Sequence, residues 1–186
     1  METEAMPRPV SATDVEVMFP ADVIAARIRE LANEIVAKLG RDMVIVAILK
    51  GSCIFTADLL RALYDVGVAP EVDFMSLSSY GDGTTSRGMV SVVRDLSSHV
   101  QGRTVLILDD ILETGRTLAH AKDLIAARGA SLVQTCVLLD KPVSRAADVM
   151  ADFRGFECPQ HFVVGYGMDV GNRLRELPFI GRVKSR

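Results

Sequence analysis

Ile24, Ile28, Leu31, Ile35 and Leu39 recur three or four residues apart, the spacing of a helix with one buried stripe. Pro20 precedes this pattern and Gly40 is placed to end it. Residues 44–49 (VIVAIL) are continuously apolar and predict a central strand. Lys50-Gly51-Ser52 interrupts the run, and a second helix is predicted over about 54–64. Residues 71–77 and 89–94 predict two more strands, and the intervening SSYGDGTTSRG, 78–88, predicts an exposed loop or lid. Next comes VLILDDILETGRT, 105–117: a buried strand, two acids at its end, a compact polar turn, then a helix start. Leu118, Ala121, Leu124 and Ile125 share one helical face, and Gly129 ends the helix. Residues 132–139 predict another strand, ending at Asp140-Lys141-Pro142. Residues 146–153 show no clear period, 162–164 predict a short strand, and 178–183 a short edge strand. The first 17 residues, with Pro7 and Pro9, predict a loose arm ahead of the packing helix. Strands separated by helices give an α/β class, a mostly parallel central sheet flanked by helices.

Composition narrows this picture. With 186 residues, 49% hydrophobic and 24% charged, the chain is expected to form one domain, 1–186, with a sizeable core. A net charge of −3 gives no reason to expect nucleic acid as a partner. No apolar run of about 18 residues occurs, so no membrane association is expected. Cys53, Cys136 and Cys158 lack CxxC spacing, and His99, His120 and His161 are scattered. A reducing, cytoplasmic setting without structural zinc fits best.

The candidate chemistry gathers at strand ends. Backbone N–H groups in the 113–117 turn and at the following helix start can hold a phosphate, with Thr114 and Thr117 adding hydroxyl donors. Asp109 and Asp110 would repel a bare phosphate, so they point to sugar hydroxyls or a divalent cation nearby. Gly51 permits a close backbone approach beside Lys50. Phe162 can stack on a planar ring, while Arg173 and Arg175 suit phosphate or pyrophosphate. Neither GxGxxG nor GxxxxGK occurs, which argues against dinucleotide and P-loop sites.

Residues 108–117 resemble the phosphoribosyl diphosphate (PRPP) motif of type I phosphoribosyltransferases. LKGS at 49–52, SSYG at 78–81, DKP at 140–142 and FVVGYGMD at 162–169, followed by Arg175, resemble the hypoxanthine-guanine branch. The resemblance spans about 44–183. It implies a type I fold with a small base-binding hood, and transfer of ribose 5-phosphate from PRPP to N9 of hypoxanthine or guanine.

The resemblance also implies roles for individual residues. Asp109 and Asp110 match positions near the ribose hydroxyls. Glu113, Thr114, Gly115, Arg116 and Thr117 match the 5′-phosphate turn. Lys50 and Gly51 match a pyrophosphate loop in which a cis peptide is common. Lys141 matches the donor to the purine 6-oxo group, Phe162 the stacking residue, and Val163 a backbone contact near C2. Asp169, together with Asp109 and Asp110, matches a Mg2+ site, and Arg175 a pyrophosphate contact. Ser79 and Tyr80 match a closing lid. A homodimer or homotetramer is implied as well.

One position departs from the pattern. The branch usually has aspartate where Glu113 stands, a carboxylate associated with the purine N7 proton. Two alternatives share the motif: a xanthine-guanine phosphoribosyltransferase, and an RNA-binding regulator on the same fold. The extended FVVGYGMD stretch argues against the first. The complete purine-side set Lys141, Phe162 and Asp169 argues against the second.

Overall fold

A computed structural model of the chain describes residues 10–80, 89–142 and 145–184. Among these residues three α-helices and nine strands follow in the order β1 (Val15–Phe19), α1 (Ala21–Leu39), β2 (Val44–Leu49), α2 (Cys53–Asp65), β3 (Glu71–Tyr80), β4 (Met89–Arg94), β5 (Thr104–Leu112), α3 (Arg116–Ala127), β6 (Leu132–Asp140), β7 (Phe153–Glu157), β8 (Val163–Val164) and β9 (Ile180–Val183). Six strands form one sheet, ordered β4-β3-β2-β5-β6-β7, in which only β3 and β4 are antiparallel. The other three form a small antiparallel sheet, β1-β9-β8.

The unbroken apolar runs of β2 and β5 follow from burial on both sheet faces. On one face Ile45, Ala47, Leu106 and Leu108 pack with Ile24, Ile28, Leu31 and Ile35 of α1 and Phe55, Leu59 and Leu63 of α2. On the other, Val44, Val46, Val105 and Ile107 pack with Leu118, Ala121 and Ile125 of α3. Each fully buried aliphatic side chain contributes about 1.5–3 kcal/mol. Strand order reverses beside β2, since β3 lies on one side of it and β5 on the other. The crevice beyond the carboxyl ends of β2 and β5 is therefore the expected place for a ligand.

Four expectations are corrected. The N-terminal stretch is not all loose arm: residues 15–19 are β1, paired in register with β9 from Val15↔Val183 to Val17↔Gly181. The second concerns β9, which is the middle strand of the small sheet rather than an edge. Gly181 permits this, because a Cβ there would lie 2.4 Å from Val15 Cγ1 and 2.6 Å from the Glu16 carbonyl oxygen. Third, Ser78, Ser79 and Tyr80 are strand, not loop: they pair with Ser91, Val90 and Met89. The remaining lid residues, 81–88, lie outside the described residues. Finally, the two acids do not end β5, which runs on past Asp109 and Asp110 to Leu112, held by parallel pairing with β6. Among the described residues no helix is long and apolar enough to cross a membrane.

Candidate active site

A cleft of about 450 Å3 opens at the carboxyl edge of the large sheet. Lys50 and Gly51 line it from the end of β2, Asp110 from β5, and Glu113 from the turn after β5. Lys141 enters from the end of β6, Phe162 and Val163 from the small sheet, and Asp169 and Arg175 from the loop between β8 and β9. These nine residues, far apart in sequence, are thus brought together with Met168 and Asn172. Asp109, which precedes the cleft-lining Asp110, is only 7% exposed and accepts the Asp110 N–H at 3.0 Å. Alternation along β5 sends the two carboxylates to opposite faces, so the second, not the first, meets the cleft.

The glycines make this crowding feasible. The Leu49–Lys50 peptide is cis. A Cβ on Gly51 would stand 1.7 Å from Asp110 Oδ2, and one on Gly167 would stand 2.0 Å from the Gly51 carbonyl oxygen. The Lys50-Gly51 loop is thus sandwiched between β5 and the 165–175 loop. Tyr166 ties that loop to α2 by donating its hydroxyl to Asp58.

Within the cleft, Lys141 is buried, and its Nζ donates to the His161 carbonyl at 2.8 Å. Nζ also lies 3.6 Å from Glu113 Oε2. An ammonium has three donors, so one remains for a further acceptor. Across from it the Phe162 ring is 61% exposed, a face open to stacking. Elsewhere in the cleft Asp169 Oδ1 sits 2.7 Å from Arg175 Nη2, and Oδ2 accepts the Asn172 N–H at 2.6 Å. Arg175 Nη1 donates to the Gly167 carbonyl at 2.7 Å.

Burial holds the Asp109 carboxyl well above its ordinary range, and the neighbouring Asp110 charge adds to this. Burial also raises Asp110, while the Arg175 charge pulls it the other way. Among the described residues no three His, Cys, Asp or Glu side chains converge as an ion-binding cluster. Asp110 and Asp169 are separate carboxylates on one cleft.

Thr114, Gly115, Arg116 and Thr117 lie just beyond Glu113, outside the cleft lining. Gly115 adopts the left-handed conformation (φ 80°), with its missing Cβ where Val149 Cγ1 packs. No side chain caps the start of α3. Its first-turn N–H groups point toward the turn, the arrangement that favours an anion. Ser79 and Tyr80 end β3, with only their backbone placement described.

Two contributors were not found by sequence reasoning. Asn172, at φ 62°, caps Asp169; an asparagine near glycine in a loop is the only local signal. Arg145 reaches back to carbonyls of the 112–113 segment, a contact with no local signature.

A phosphoribosyl transferase domain model matches residues 20–170. Hypoxanthine phosphoribosyltransferase of Escherichia coli strain K12 is 44% identical over 172 residues, 91% of this chain and 95% of that protein. The bifunctional protein TilS/HprT of Listeria monocytogenes is 44% identical over 170 residues, 91% of this chain, and the chain spans 26% of that protein's length. A solved hypoxanthine phosphoribosyltransferase from Staphylococcus aureus superposes with a TM-score of 0.86 at 39% identity, covering 92% of this chain and 93% of that one. With the cleft built from the same segments that carried the resemblance, this chain belongs to the phosphoribosyltransferase family, in its hypoxanthine-guanine branch.

Proposed function

We infer that this chain transfers ribose 5-phosphate from PRPP to N9 of hypoxanthine or guanine, forming IMP or GMP and pyrophosphate. The observation that carries the reading is one cleft that holds Lys141 3.6 Å from Glu113 and Asp169 2.7 Å from Arg175, with Phe162, Asp110 and the Lys50-Gly51 loop in the same lining.

Lys141 donates to the 6-oxo group, and Phe162 stacks on the purine while the Val163 backbone borders C2. Adenine would set its amino donors against the lysine, leaving donors unpaired. Glu113 accepts the N7 proton as N9 attacks C1′. The α3 start and Thr114–Thr117 amides hold the 5′-phosphate. Asp110 orients the ribose hydroxyls, with the buried Asp109 beneath it, and their field favours positive charge developing at the sugar. Arg175 and the Lys50-Gly51 backbone receive pyrophosphate as the C1′–O bond breaks. Ser79 and Tyr80 begin the segment that would close over the sugar and limit hydrolysis.

The donor set fits Mg2+ of the kind held by one or two carboxylates, waters and substrate phosphates, here Asp169 and Asp110. When bound, Mg2+ supplies charge neutralisation to the diphosphate. The three free thiols suit a reducing cytoplasm, and a homodimer or homotetramer is proposed from the family resemblance. The test is a matched assay of hypoxanthine, guanine, xanthine and adenine with PRPP and Mg2+. Hypoxanthine and guanine should be consumed and adenine left. Xanthine use equal to guanine would move the assignment to the xanthine-guanine branch, and inactivity with all four would overturn it.

A further inference from the structure

Pairing between β5 and β6 ends at Leu112↔Asp140, and the last backbone bond joining the two segments runs from the Lys141 N–H to the Leu112 carbonyl at 2.9 Å. Glu113 and Lys141 both lie beyond the last paired residues. Arg145 spans the gap. Its Nη1 donates to the Leu112 carbonyl at 2.9 Å and the Glu113 carbonyl at 2.6 Å, and approaches the Lys141 carbonyl at 3.5 Å. Its Nη2 pairs with Asp140, whose residue is 8% exposed and adjoins Lys141 in the chain. A planar guanidinium with donors on two nitrogens can make these contacts at once; an ammonium cannot reach them all.

We propose that Arg145 is a positioning residue that sets the Glu113–Lys141 separation and thereby governs purine binding without touching the purine. The proposal rests on the functional reading above. Arg145 is absent from the cleft lining. The phosphate side of the same turn has its own supports: Ala146 and Ala147 donate backbone N–H groups to the Thr114 carbonyl at 2.9 and 3.1 Å, and Gly115 packs against Val149. Loss of the guanidinium therefore displaces the base end and leaves the phosphate cradle held.

The experiment compares wild type, Arg145→Lys and Arg145→Ala as full chains, varying hypoxanthine and PRPP separately. Both variants should raise the KM for hypoxanthine roughly 10- to 100-fold, the scale of a displaced contact, while the KM for PRPP stays within about twofold. Added guanidinium chloride at low millimolar concentration should restore part of kcat/KM for hypoxanthine in Arg145→Ala, and sodium chloride of equal ionic strength should not. A structural role alone would not produce that rescue. An unchanged hypoxanthine KM, equal rises in both KM values, or absence of rescue in a folded Arg145→Ala each overturns the role. Should Arg145→Ala fail to fold, Arg145→Lys decides through the split between the two KM values. A wild type inactive with every base overturns the functional reading as well, which separates the two failures.

Discussion

Glu113 and Lys141 form an ion pair across 3.6 Å in the cleft. A bound 6-oxopurine, on the functional reading above, inserts its 6-oxo group and N7 proton between them. Lys141→Ala should weaken hypoxanthine binding by about 1.5–3 kcal/mol, the worth of a charge-assisted hydrogen bond, and leave PRPP affinity much less changed. Titration of each substrate checks this; equal losses would count against the assignment. Glu113→Gln keeps volume but removes the proton acceptor, so single-turnover chemistry should slow by about 10²–10⁴-fold. Glu113→Asp should retain more activity than the glutamine variant, because it keeps the charge. A wild-type chemical rate in Glu113→Gln would make the carboxylate a structural part of the turn. Single turnovers are needed because slow product release can mask a chemical defect in kcat.

At the scale of elements, side chains fasten strands to the turns beside them. Asp73 on β3 accepts N–H groups of Phe74 at 2.7 Å, Ser97 at 2.7 Å and Ser98 at 2.8 Å. Burial alone would raise its carboxyl, but the backbone donors of Ser98, Phe74 and Ser97 outweigh it and hold it below the ordinary 3.8. The unfolded chain therefore binds the proton more readily. The stabilisation is complete above the ordinary value and disappears as pH falls through the lower folded value. Asp73→Asn should cost about 1–3 kcal/mol at neutral pH, with the difference from wild type shrinking as acid protonates Asp73. Urea unfolding of both proteins across that range measures it, and a pH-independent difference would show that lost packing, not charge, dominates. At the far edge of the same sheet, Arg27 of α1 covers β7 by donating to the carbonyls of Arg154 at 2.8 Å and Gly155 at 3.1 Å. A covered strand edge is protected from pairing with another chain.

Across the whole molecule, the large sheet supplies Lys50, Asp110, Glu113 and Lys141, and the small sheet with its following loop supplies Phe162, Asp169 and Arg175. On the functional reading above, Asp110 and Asp169 would hold Mg2+ with diphosphate oxygens supplying further ligands. Chelation should therefore abolish most turnover, and added Mg2+ should restore it. Undiminished PRPP-dependent activity after rigorous metal removal would refute the metal role.

The helices α1, α2 and α3 and the strands β2, β5 and β6 were legible in the chain itself, because each is a continuous run whose apolar spacing matches its period. So were the segments that carry the cleft, since their short motifs combine residue types rarely found together. Pairing over long separations was not legible. The Glu16–Arg182 contact between β1 and β9 joins positions 166 residues apart, and nothing local announces it. Local composition likewise gave 78–80 to a loop, whereas their pairing with β4 makes them strand. Tertiary structure alone decided that Asp110 rather than Asp109 meets the cleft, because strand alternation and twist set which face each side chain takes. It also decided that Glu113 and Lys141 stand within 3.6 Å, and that Arg145 holds their backbones together. Residue types establish which chemistry is available; the separations at which it operates arise only when distant strand ends are packed side by side.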